Sequence, residues 1–120
     1  MNDKVIPFEE FEKAVMKKIL EREDNISKIL WQQYKSARVI KRDFTGSGFF
    51  TSFEASKDSP RITETVDRSY GDVIASINGS SFDFGFVLFL ENGMLSCLEG
   101  YTWTDKWPET IRSYELKHTE

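Results

Sequence analysis

The side chains whose type and setting suit chemistry lie in two places near the end of the chain. One is Glu99, an acid in the middle of an apolar strand pattern, MLSCLEGYT. Set in a hairpin among Phe86, Cys97 and Tyr101, it would be short of water. That disfavours the charged carboxylate and is the condition for a general acid. The blander reading is a strand glutamate that accepts a hydrogen bond from a neighbouring backbone amide or reaches the sheet edge, because buried polar groups are normally satisfied. The second place is the corner Tyr101, Trp103, Asp105 and Trp107, with Lys106 inside it and Asp83 and Glu109 expected near the same end. Tyr and Trp supply a large contact area at little entropic cost, so this corner reads as a binding surface. Its alternative reading is a lid over the end of the core.

Other reactive groups are poorly placed. His118 is the only histidine, close to the C-terminus, where chains fray, and it reads as an ordinary exposed side chain. Cys97 has no histidine expected within reach to raise its thiolate fraction. Clusters of His and Cys with metal-ligand spacing, phosphate loops and dinucleotide fingerprints are all missing, so neither metal nor cofactor is expected.

The element that must position Glu99 is a hairpin, Phe84 to Trp103. Asn92-Gly93 lies between two apolar runs, and a type I′ turn needs positive φ at both loop residues, which Asn and Gly tolerate. A two-residue loop sets Leu90 opposite Leu95, Leu88 opposite Cys97, Phe86 opposite Glu99 and Phe84 opposite Tyr101. Val87, Phe89, Met94 and Leu98 take the other face. Both faces are largely apolar, so the hairpin belongs in mid-sheet, covered on both sides or covered on one and paired with another subunit on the other.

The chain of 120 residues fits one domain, 1–120, able to bury a core without staples. Lys and Arg number 16 against 20 Asp and Glu, a net charge of −4, which argues against a general nucleic-acid-binding surface. One cysteine, an N-terminus charged where a secretory signal would be apolar, and no bilayer-length apolar run together point to the cytoplasm with no membrane association. Ten Phe, four Tyr and three Trp exceed what a small core always needs.

Read in order, Pro7 opens a helix over about 7–22, with Phe8, Phe11, Val15 and Ile19 on one stripe and Glu9, Glu12, Lys13 and Lys17 facing away. Asp24 or Asn25 caps a second helix over about 25–35, striped by Ile26, Ile29, Leu30 and Tyr34. From Ala37 the period becomes two, through ARVIKRDFT and GFFTSFEAS. The cluster Arg38, Lys41 and Arg42 there reads as charge protecting a solvated or edge strand, with anion binding as the less favoured alternative because no Gly-rich helix start accompanies it. Ser56 to Arg61 is a loop, ITETV a short strand, and strands near 72–77, 82–91 and 94–102 form a meander. Gly85 signals a bulge or a close backbone approach. SYELKH is a last strand or a short frayed helix.

At Gly85-Phe86-Val87-Leu88-Phe89, Asn92-Gly93, Leu95-Ser96, Leu98-Glu99-Gly100-Tyr101-Thr102 and Trp107-Pro108, the chain resembles a set of small bacterial proteins. They carry a strand, a turn and an L-E-G-[aromatic]-[ST] segment shortly before W-P. The resemblance covers about a quarter of the chain. It implies a small intracellular bacterial protein and, through those members that look like immunity proteins of toxin systems, a toxin as partner. It implies no catalytic residues.

The sequence therefore reads as α+β, with two N-terminal helices on one face of a mainly antiparallel meander sheet of about five to seven strands over about 37–117. The leading functional reading is a non-enzymatic interaction protein, in the narrower form an immunity protein that binds and blocks a cognate toxin. Its acidic groups would steer toward a basic face and its aromatics would anchor the contact. A second reading, from another class, is a small-ligand-binding protein or carboxylate-dependent enzyme whose pocket lies between helices and sheet with Glu99 at its polar end. A third is a homodimer joined through the two-sided apolar sheet.

Overall fold

The computed structural model describes residues 4–63, 69–104 and 106–119. Two helices come first, α1 (Phe8–Leu20) and α2 (Asn25–Ser36). Pro7 precedes α1, Glu9 and Glu10 fill its first turn and Lys17 and Lys18 its last, the polarity that the helix dipole favours. Phe11, Val15, Met16 and Ile19 form a fully buried stripe. Asp24 is the cap of α2, accepting from the Ser27 amide at 2.8 Å.

Six strands follow: β1 (Arg38–Phe44), β2 (Gly48–Glu54), β3 (Ser69–Ile77), β4 (Phe84–Glu91), β5 (Met94–Thr102) and β6 (Tyr114–His118). They make one sheet in the order β1-β2-β5-β4-β3-β6, every neighbouring pair antiparallel. The meander β3-β4-β5 stands in the middle, and the β1–β2 hairpin extends it on one side. SYELKH forms strand β6 on the other side. The expected strand ITETV falls mostly on 64–68, outside the described residues.

Both helices lie on one face of this sheet. That face carries Phe49 and Thr51 of β2, Val73, Ala75 and Ile77 of β3, Phe86 and Leu88 of β4 and Leu98 of β5, all 2% exposed or less. Among the described residues no helix covers the other face, where Phe50, Val87, Phe89, Cys97 and Tyr101 are half-buried to exposed. The fold is α+β with its helices segregated to one side of an antiparallel sheet.

The Asn92-Gly93 turn forms with φ of 53° and 76° and opposes Leu90 to Leu95. Beyond that pair the register departs from the simple ladder. Phe89 opposes Cys97, Leu88 opposes Leu98, Val87 opposes Glu99 and Gly85 opposes Tyr101, because Ser96 is an extra residue with no opposite number.

Gln33 fixes α2 onto this hairpin. Fully buried, its amide nitrogen donates to the carbonyls of Pro60 and Gly93, both at 2.9 Å, and its carbonyl accepts from the Leu95 amide at 2.8 Å. Gly93 O also accepts from Ile62, so removal of the side chain strands chiefly the Leu95 N–H. Gln33→Leu is therefore expected to cost about 2 kcal/mol in urea unfolding, the penalty of one buried unpaired donor. An unchanged midpoint would show that α2 is held by its apolar stripe alone.

Candidate functional site

The extra residue at Ser96 decides where Glu99 lies. Opposite Val87 on one side and Phe50 on the other, its side chain belongs to the uncovered face. The expected pairing with Phe86 is thus replaced: Gly100 opposes Phe86, and Glu99 is on the far side of the sheet from both helices. A pocket between helices and sheet does not contain it.

The same alternation places Tyr101 on the uncovered face. Its ring lies over Gly85, where an added Cβ would come within 2.5 Å of the phenol, so the glycine marks a close approach of a side chain to bare backbone. Tyr101 in turn braces Trp103, edge to face at 5.2 Å between centroids. Trp103 is 62% exposed. Glu99, Tyr101 and Trp103 therefore form one column at the end of β5. Two cations of this face are already engaged, Arg38 with Glu54 at 2.7 Å and Lys41 with Asp43 at 3.5 Å, which leaves Glu99 as an acidic point among Phe50, Val87 and Cys97. Burial, and then Glu99, push the Cys97 thiol up, away from the thiolate that a nucleophile needs.

Trp107 is not part of this column. At 8% exposure it sits on the helix side, with Phe84 at 5.1 Å, Phe49 at 5.3 Å, Phe86 at 6.2 Å and Phe11 at 6.4 Å around it. Its amide donates to the Gly46 carbonyl at 2.8 Å, which ties the segment after β5 back onto the β1–β2 turn. The corner read from the sequence is thus split, one tryptophan outside and one within. Asp105, the acid between them, lies outside the described residues.

His118 also departs from expectation. It is 19% exposed rather than free at a frayed end, with Nδ1 3.1 Å from Asp72 and Nε2 2.8 Å from Glu21. An imidazole can donate to a carboxylate on each side only with both nitrogens protonated. The ring joins β6 to β3 and to the end of α1, and Arg22 also bonds Asp72. The His118 bond is the main cause that holds the Glu21 carboxyl below its ordinary value. At Asp24 burial opposes, and the Ser27 amide and hydroxyl with Tyr70 outweigh it, so that carboxyl is lowered too. Both depressed groups contribute stability that is complete above the ordinary carboxylate values and is lost as pH falls through the folded ones. Melting temperature should accordingly decline below about pH 4. His118→Ala should flatten that decline when followed by calorimetry, and a decline of equal steepness in the variant would remove the His118–Glu21 bond as its cause.

A buried ionic network went unread in the sequence. Glu12, placed by helical periodicity among the residues facing away, is 3% exposed. It receives Arg42 Nη2 at 2.7 Å and Nε at 3.2 Å, and the Thr51 hydroxyl at 2.5 Å. Arg42 is the member of the basic cluster that points beneath α1 instead of guarding the edge. A Glu at the margin of the apolar stripe, matched to one Arg in an alternating strand, is the signal that would have located the pair.

No family model, curated protein or solved structure matches this chain.

Proposed function

We propose that this protein acts by binding another protein, without catalysis, through the uncovered sheet face at Glu99, Tyr101 and Trp103. The observation that carries this reading is Trp103, 62% exposed and held by Tyr101 at the end of an apolar face over which no helix lies among the described residues. Exposed aromatic anchors beside a desolvated apolar area are the residues that dominate binding energy in protein interfaces. Glu99 and the net charge of −4 favour a partner with a basic rim. The narrower form of the proposal is an immunity protein of a bacterial toxin system acting in the cytoplasm, for which the support is the resemblance of the segment from Gly85 to Pro108.

The test is capture of partners from the native cell on tagged protein, comparing wild type with Trp103→Ala and with Glu99→Lys. One stoichiometric partner, bound at least about tenfold more weakly by each variant once purified, is the expected result. No partner, or a partner held equally by all three proteins, overturns the assignment. A second copy of the chain as the occupant would appear in light scattering as a dimer dispersed by Trp103→Ala.

A further inference from the structure

On the helix side of the sheet, away from the Trp103 face, α1, α2 and the β1–β2 hairpin enclose a cleft of about 450 Å³. The volume is that of a small-molecule site. One wall is a run of aromatic rings: Trp31 meets Tyr34 at 5.7 Å between centroids, and Tyr34 meets Phe53 edge-on at 5.9 Å. Arg42 also lines the cleft, and Lys13 of α1 and Lys35 of α2 contribute to it from either side.

The guanidinium is fixed in place before any ligand arrives. Glu12 holds its Nε and Nη2 edge, Thr51 holds Glu12, and the guanidinium carbon stands 5.5 Å from the centre of the Phe8 ring. The bond to Glu12 pushes Arg42 further up, so its charge is permanent. The Glu12 charge is matched by Arg42, and Glu9 is the other acid of the cleft. Against these stand Arg42, Lys13 and Lys35, a locally cationic site in a protein of net charge −4. Tyr34 senses both members of the pair, since Glu12 raises its hydroxyl after burial does and Arg42 lowers it. The ion pair by itself accounts for the joining of α1 to β1. It does not account for an open volume walled by three aromatic rings and edged by two lysines.

We propose that this cleft binds a small planar acid of the aryl carboxylate class, its ring among Trp31, Tyr34 and Phe53 and its carboxylate toward Arg42 and the two lysines. Apolar walls supply the burial, and a few fixed polar groups supply orientation and selectivity. A preset guanidinium loses little freedom when it meets a carboxylate, and delocalised cations suit planar anions. The site is independent of the protein-binding face, from which it is separated by the thickness of the sheet.

Purified protein titrated with 2-naphthoate tests this, with 2-naphthamide as the neutral analogue and the tryptophan indole N–H signals as reporters. The expected result is saturable binding with Kd below about 1 mM that shifts Trp31 and spares Trp103, with the amide bound at least about tenfold more weakly. Because Arg42 variants leave the buried Glu12 without its counter-ion, the charge is tested at the rim. A Lys13→Glu/Lys35→Glu variant with an unchanged unfolding midpoint should bind naphthoate at least about tenfold more weakly, and Trp31→Ala should abolish binding. No saturable binding at about 5 mM, equal binding of acid and amide, or naphthoate binding undiminished in the rim variant each overturns the proposal.

Discussion

Trp107→Ala is expected to cost about 4 kcal/mol of stability, in the range for truncating a buried tryptophan, whereas Trp103→Ala should change stability by less than about 0.5 kcal/mol. The two residues lie four apart in a loop and are alike in chemistry, so the contrast isolates burial. Trp107 fills the space among Phe11, Phe49, Phe84 and Phe86, and its loss leaves a cavity that four rings from two strands and a helix cannot close without moving together. Its backbone bond to Gly46 adds that the loop is seated by this side chain, so loosening of the β1–β2 turn should accompany the loss. Urea unfolding of both variants checks the pair. Comparable losses at the two positions would mean that Trp103 is packed as well, and the proposed binding face would lose its anchor.

The second large effect is asymmetric. Arg42→Met leaves Glu12, 3% exposed, without its counter-ion, and should cost about 4 kcal/mol. Glu12→Leu leaves Arg42, whose side chain is 24% exposed and can regain water, and should cost about 3 kcal/mol or less. The double variant Glu12→Leu/Arg42→Met should recover much of the loss, because a buried pair replaced by apolar groups of similar volume removes two desolvation penalties at once. A double variant as unstable as the sum of the singles would show that the pair contributes nothing as a pair. Thr51, left with an unmatched hydroxyl wherever Glu12 is replaced, sets the floor of the recovery.

Local signals were legible and non-local ones were not. The two helices, the Asn92-Gly93 turn and the meander follow from periodicity, caps and turn chemistry within a few residues, and each lies where those signals put it. The closeness of Gly85 to a neighbour could also be read, though the neighbour turned out to be the Tyr101 ring. The Ser96 bulge could not be, since an extra residue in a strand apolar on both faces breaks no visible alternation, and the face of Glu99 was lost with it. Burial of Glu12 and bonding of His118 depend on partners 30 and 46 or more positions away in sequence, which no window of helical or strand periodicity spans. The tryptophan corner was found as a composition and divided only by three-dimensional packing.

The extra residue in β5 acts as a parity bit for half a strand. Every side chain from Cys97 to Tyr101 takes its side of the sheet from whether Ser96 is counted. Pairing Ser96 into the ladder with no residue lost would exchange inside for outside, turning Glu99 toward the core and Leu98 toward solvent, whereas one codon lost there would restore the plain two-residue ladder and keep every later side chain on its present side. In an alignment of related chains, a gap at this position would thus join proteins with the same surface, and a column drawn through Glu99 would still compare one outward-facing residue with another.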